Sequence, residues 1–323
     1  MKEWIVTPAE AGQSVWKYVT RLLPGAASGL LRKSMRKKNI TVNGKKVEGK
    51  EKLQAGDQVT IWFSEDTLKS FMQVETSKKE EAEMTWPDFS KWIVYEDGEV
   101  LVLNKPAGLL SQGDGSGQPS INDGLLWYLR NDIHGMVKPS ICNRLDRNTS
   151  GLVVAGKTVQ SLQALNGLIK DHALCKEYKA LVWGEMEGRG VMKGFLVKNH
   201  KTNQVRYTER KEEGALPIET HYQALETFAK NGVSYSLVQV RLVTGRSHQI
   251  RIHFASMGHP LLGDTKYGNP DSVRASHKLH IHRQMLHAFR LTFPEMEGTL
   301  SGVSGKTMVA PLPKDMEMQC VKQ

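Results

Sequence analysis

Ile141-Cys-Asn-Arg-Leu-Asp-Arg-Asn-Thr-Ser-Gly-Leu-Val-Val-Ala-Gly-Lys157 changes character at its middle. The first half is strongly polar, with Arg144, Asp146 and Arg147 ahead of Thr149-Ser150-Gly151. The second half, from Leu152 to Ala155, is the continuous apolar run of a buried strand. Asp146 therefore belongs to a loop that leads straight into a core strand, where a rigid element can hold a reactive group still. Guanidiniums beside a carboxylate favour its charged form, as a nucleophile requires. Composition alone favours the plainer alternative, an Arg–Asp pair that only pins the loop.

On either side of this stretch strand patterns dominate, with helices between them. Strands are expected over 92–95, 100–104, 152–155, 177–183, 219–227, 235–243 and 285–293, and Asn231-Gly232 marks a hairpin. Helices are expected over 120–131, 158–171 and 247–257. Tightly turned antiparallel pairs with interleaved helices predict an α+β domain with a mixed, mainly antiparallel sheet and flanking helices. Nearer the amino terminus the pattern differs. A helix over 14–23 is stopped by Pro24-Gly25, and a second over 28–38 gathers Arg32, Lys33, Arg36, Lys37 and Lys38. Ile40 and Val42 then alternate up to the turn Asn43-Gly44, beside Lys45 and Lys46, and Val59, Ile61 and Phe63 close a small helix-helix-sheet module.

The expected division is a module over 1–65, a linker over 66–91 and a larger domain over 92–323. The linker reading rests on mixed charge and weak hydrophobic period. The 323 residues carry 44 Lys and Arg against 34 Asp and Glu, a net charge of +10. Residues 1–65 hold 12 of these cations and only 6 of the acids, so a fifth of the chain carries over half of the excess. Such a balance favours a polyanionic partner. Three cysteines, Cys142, Cys175 and Cys320, are too scattered for a disulfide framework or a zinc site. No apolar run approaches the roughly 18 residues of a membrane span, and the first residues lack a signal-peptide layout. The expectation is a cytoplasmic protein with a nucleic-acid partner and no membrane.

The central stretch resembles the catalytic motif of the RluA-type pseudouridine synthases, as Arg144-Leu145-Asp146-Arg147-Asn148-Thr149-Ser150-Gly151. The resemblance continues at Leu103-Asn104-Lys105-Pro106-Ala107-Gly108 and at Lys176-Glu177-Tyr178-Lys179-Ala180. It is densest from Thr244-Gly245-Arg246-Ser247-His248-Gln249-Ile250-Arg251-Ile252-His253 to Gly258-His259-Pro260-Leu261-Leu262-Gly263-Asp264. Leu286-His287-Ala288 and Ala310-Pro311-Leu312-Pro313 match the closing segments. The resemblance implies that Asp146 is the nucleophile and that Arg144 takes the place of a flipped-out uridine. It implies also that Tyr178 packs on the target base and Arg251 pairs with the catalytic carboxylate. Asn143 and Asn148 depart from the family's usual His and Asp, which bears on RNA contacts and loop bracing. The implied reaction breaks the C1′–N1 bond, turns the uracil and rejoins it through C5. Asp146 can attack C1′ or assist loss of a ribose proton, and the sequence does not choose. No cofactor is needed, and a monomer is expected.

Residues 30–47, followed by Ala55-Gly56-Asp57-Gln58-Val59, look like the RNA-binding domain named after small-subunit ribosomal protein S-four. Met35-Arg36-Lys37-Lys38-Asn39 stands where a shorter, Gly-containing turn is frequent. Arg32, Lys33, Arg36, Lys37, Lys38, Lys45 and Lys46 are the expected phosphate contacts. The preferred substrate is large-subunit ribosomal RNA, with transfer RNA or a non-catalytic role in ribosome assembly as alternatives. A glycoside hydrolase would want two carboxylates flanking one bond, and Asp146 is surrounded by Arg and Asn. Gly113-Asp114-Gly115-Ser116-Gly117 lacks the ending of a phosphate loop. His277, His280, His282 and His287 lack partners at ligand spacing and are expected at the surface or facing RNA, while His248 and His253 serve structure or RNA contact.

Overall fold

A computed structural model describes residues 1–72, 85–86, 88–132, 138–199 and 204–321. The amino-terminal elements are β1 (Lys2–Ile5), α1 (Val15–Leu22), α2 (Ser28–Arg36), β2 (Ile40–Val42), β3 (Lys45–Lys46), β4 (Gln58–Ile61) and α3 (Glu65–Met72). The strands form one sheet in the order β1-β4-β2-β3. Val15, Val19, Leu22, Leu31 and Met35 on the two helices bury against Ile40, Val59 and Ile61. Burying apolar side chains at about 25 cal/mol per Å² is the main force closing this small core. The expected second helix ends early: Lys37 is its C-cap and Lys38 turns into the left-handed region at φ 63°. Lys38 thus takes the conformation that a glycine commonly takes at a helix end. Part of the expected linker is α3, whose Leu68 is buried in this core and whose Phe71 meets Phe63 edge-on at 6.0 Å. Residues 73–84 and 87 of that stretch lie outside the described residues.

The second part comprises β5 (Ile93–Glu96), β6 (Val100–Lys105), α4 (Ile121–Tyr128), β7 (Ser140–Ile141), β8 (Ser150–Gly156), α5 (Val159–Lys170), β9 (Cys175–Trp183), β10 (Arg189–Asn199), β11 (Gln204–Thr208), β12 (Leu216–Lys230) and β13 (Val233–Leu242). It closes with α6 (Gln249–Ser256), α7 (Pro270–Lys278), β14 (Leu286–Thr292), β15 (Thr307–Val309) and α8 (Lys314–Glu317). One sheet runs β11-β10-β12-β13-β9-β14-β8-β6-β5, with β15 on β14 and β7 on β8. Its named strands pair antiparallel except β8 with β14. The α+β expectation holds, and the expected elements form within about three residues of their expected ends. The strands β10 and β11 were not expected, because Gly190 and Gly194 interrupt the apolar pattern. Those glycines make room for the rings of Tyr222 and Tyr207, which a Cβ at either position would strike.

At the centre of the sheet every residue of β8 is buried. Lys105, Gly151, Ala288, Tyr178 and Val240 are partners in one row across β6, β8, β14, β9 and β13. Gly151 has φ 114°, and a Cβ there would lie 2.2 Å from the Ala288 carbonyl oxygen. Only glycine permits this conformation and this approach of β14 to β8. The loop carrying Asp146 ends at that point.

Candidate active site

Four successive carbonyls of the Asp146 loop each accept a hydrogen bond. The Ser111 hydroxyl donates to Leu145 O at 2.7 Å, and Thr149 N donates to Asp146 O at 3.0 Å. Arg147 O accepts from Gly108 N at 2.9 Å and from the Lys105 ammonium at 3.1 Å. Asn148 O accepts from Arg283, itself clamped to both carboxylate oxygens of Asp315 at 2.6 and 2.8 Å. Asn143 braces the loop to β8, donating to Leu152 O at 3.3 Å and accepting from Val154 N at 2.8 Å. A backbone tied at each step leaves little freedom at Asp146, so its position costs little reorganisation in a reaction.

Lys105 is fully buried, and its ammonium donates to Pro106 O, Leu109 O and Arg147 O at 2.9, 2.8 and 3.1 Å. These three carbonyls match the three N–H groups of the charged form. Burial pushes the Lys105 pKa down to about 7, with the Asp146 charge opposing that shift and Arg283 adding to it.

The Asp146 carboxylate is about one quarter exposed. Arg251, on α6, donates through Nη1 to Asp146 Oδ2 at 2.7 Å. The rest of that guanidinium is held by Asp264, with Nε to Oδ2 at 2.6 Å and Nη2 to Oδ1 at 2.8 Å. Burial works against the charge on Arg251, but the two carboxylates outweigh it and raise its pKa above the ordinary arginine value. Burial likewise works against the Asp264 charge, and the bonds from Arg251 and from the Tyr267 and Lys266 amides reverse the outcome, lowering its pKa. Tyr267 lies against Arg251 at 5.1 Å and shares a 2.6 Å hydrogen bond with His248 Nδ1. His248 has φ 58°, and its Nε2 is 3.8 Å from Asp146 Oδ1, too far for a hydrogen bond. Burial lowers the His248 pKa, against the attraction of Asp146.

Tyr178 is buried, and burial followed by the Asp146 charge pushes its phenol pKa up. Arg144 is exposed and makes no hydrogen bond or ion pair with any described residue. The structure therefore brings Asp146, Tyr178 and Arg251 together and leaves Arg144 projecting from the same loop. Arg32, Lys33, Arg36, Lys37, Lys38, Lys45 and Lys46 are all exposed, none of them in a salt bridge with a described residue, and Arg32 covers the Trp16 ring at 4.8 Å.

One expectation is corrected. His287 is buried, not at the surface, and its Nδ1 pairs with the Ser150 hydroxyl at 2.9 Å, tying β14 to β8. His277, His280 and His282 are exposed. His253 is buried against Thr220, with Nδ1 to Oγ1 at 2.8 Å. Among the described residues no three His, Cys, Asp or Glu side chains converge as a metal site. Sequence reading assigned no role to Ser111, Lys105, Asp264, Tyr267 or Arg283. Lys105 and Asp264 lay inside quoted motifs, and an acid 13 residues after Arg251 was the available signal for Asp264.

Residues 99–256 match the model of the family described as RNA pseudouridylate synthase. Ribosomal large subunit pseudouridine synthase C of Pasteurella multocida is 31% identical over 99% of this chain and 92% of its own length. Ribosomal large subunit pseudouridine synthase D of Nitrosomonas europaea is 29% identical over 95% of this chain and 83% of its own. Among solved structures, human RNA pseudouridylate synthase domain containing 4 shares the fold. Its TM-score is 0.55 and its identity 24%, covering 70% of this chain and 90% of that one.

Proposed function

The chain belongs to the RluA-type RNA pseudouridine synthases, and on that premise we propose that it isomerises specific uridines of large-subunit ribosomal RNA, with Asp146 as nucleophile. The observation that carries the role of Asp146 is its fixed loop together with its partners. Arg251 holds Oδ2, while no described residue hydrogen-bonds Oδ1. On this reading Oδ1 attacks C1′ and the C1′–N1 electron pair leaves with the uracil. The uracil turns on the Tyr178 ring, and C5 displaces the carboxylate. The C5 proton is then lost and N1 gains one, so no oxidant or cofactor enters. Arg144, exposed and without a partner among the described residues, stacks where the flipped base had been, offsetting part of the few kcal/mol that flipping costs.

The ribosomal substrate is supported by the names of the relatives, which act on the large subunit. We assign residues 1–65 as an S-four-type RNA-binding domain, 66–91 as the linking stretch and 92–323 as the catalytic domain. The separate sheet and core of the first part support that division, with Leu68 and Phe71 of α3 carrying the first core on to residue 72. Seven of its exposed cations, Arg32, Lys33, Arg36, Lys37, Lys38, Lys45 and Lys46, are assigned to phosphates. No helix among the described residues is long and apolar enough to cross a membrane. With a ribosomal substrate as premise, we propose a cytoplasmic monomer. Mapping pseudouridines in ribosomal and transfer RNA of cells with and without this protein tests the substrate. The reading expects loss at discrete large-subunit sites; loss confined to transfer RNA overturns it.

A further inference from the structure

Among the described residues, buried or nearly buried cations have protein partners, with one exception. Arg251 has two carboxylates, Lys105 three carbonyls, and Arg283 a carboxylate and two carbonyls. Lys176 is only 6% exposed, yet no hydrogen bond or ion pair joins its ammonium to any described residue. Burial lowers its pKa, and the only described group that favours its charge is the neighbouring Cys175. Its stem is buried while its ammonium keeps access to solvent, which leaves a cation open to an incoming group.

Its surroundings indicate what is missing. Lys176 is on β9 two residues before Tyr178, so both side chains leave the same face of the sheet. Its Nζ would lie 3.5 Å from a Cβ built on Gly245. Gly245, Arg246 and Ser247 are exposed and lead into α6, whose amino end offers positive backbone dipoles. Gln249 pins that loop, its Oε1 accepting from Arg246 N at 3.1 Å and from the Thr244 hydroxyl at 2.9 Å. The open ammonium, the exposed loop that carries Arg246 and the start of α6 offer an anion a positively charged surface, on the face of the sheet that carries Tyr178. An RNA substrate carries one kind of anion before reaction, the phosphodiester.

We propose that Lys176, with Arg246 and the start of α6, receives a backbone phosphate flanking the uridine that enters the site. This rests on the reading that the substrate is RNA. The test uses the full chain, its Lys176→Met and Lys176→Arg variants, and RNAs with a neutral methylphosphonate at either phosphate flanking the target. For wild type, one of the two replacements should weaken binding about ten- to hundredfold. Lys176→Met should weaken binding of unmodified RNA by a similar factor, lose nothing more on that methylphosphonate, and unfold no earlier than wild type on heating. Lys176→Arg should keep most of the affinity. Additive losses at both phosphates overturn the proposal, including the case in which Lys176→Met slows turnover by acting on the uracil. A Lys176→Met protein that is markedly less stable also counts against it, since the lysine would then be a structural element. If the wild type makes no product on any unmodified RNA, the reading beneath the proposal fails with it.

Discussion

The amino-terminal module and the Asp146 site use the same cationic residue types in opposite environments. Arg32, Lys33, Arg36, Lys37, Lys38, Lys45 and Lys46 are exposed and lack salt-bridge partners among the described residues, whereas Arg251 and Lys105 are buried with every side-chain nitrogen hydrogen-bonded. Exposed charges act over about a Debye length, are screened by salt and tolerate imprecise geometry. Buried charges are held to a few tenths of an ångström and lose their purpose if one partner goes. On the proposed reading, affinity resides in the first set and chemistry in the second. A change confined to one set should therefore leave the contribution of the other intact.

The largest effect is expected at the centre. Asp146→Asn keeps the loop's backbone bonds but replaces a carboxylate by an amide, a poor nucleophile. Product formation should fall by about 10⁴-fold or more while RNA affinity changes little. Tritium release from C5-labelled uridine, beside a binding titration, measures both. Turnover near wild type removes Asp146 from its proposed role.

Acid should separate the two regions next. His253 and His287 are buried in the larger part, and burial lowers both pKa values from 6.5 to about 4. The unfolded chain therefore binds more protons than the folded one between these values, so stability is lost as pH falls through 6.5 towards 4. By pH 5 each histidine should cost about 2 kcal/mol relative to pH 7. Residues 1–65 contain no histidine. Hydrogen exchange at pH 7 and pH 5 should show protection falling in the large sheet ahead of the small one; equal loss in both breaks this part of the contrast.

Arg144→Ala should be milder than Asp146→Asn, lowering single-turnover rates by about tenfold, because a stacking group offsets only part of the flipping cost. A substrate with its target uridine already unpaired should recover most of that loss. No recovery would mean that Arg144 acts elsewhere.

Legibility in the sequence tracks the range of each contact. The Asp146 loop and β8 were readable because a polar run abutting an apolar run is a local signal. Tyr178 and Arg251 were named only through the resemblance, since nothing local marks a tyrosine in a strand or an arginine in a helix. Asp264 and Lys105 were missed as site residues because their roles depend on where Arg251 and the carbonyls of other loops end up. Strands β10 and β11 escaped notice because Gly190 and Gly194 look like breaks until Tyr222 and Tyr207 cover them. His287 was misplaced for the same reason: its partner, Ser150, is 137 residues away.

The central claim, that affinity and chemistry are divided between the two regions, is tested most directly in the full chain with Arg32, Lys33, Arg36, Lys37, Lys38, Lys45 and Lys46 all changed to glutamine. Binding should weaken, and the log–log salt dependence should flatten by up to about five to six if all seven reach phosphates. The single-turnover rate at saturating enzyme should stay within about twofold of wild type. A rate that falls towards that of Asp146→Asn, or a salt dependence that does not change, would contradict the division.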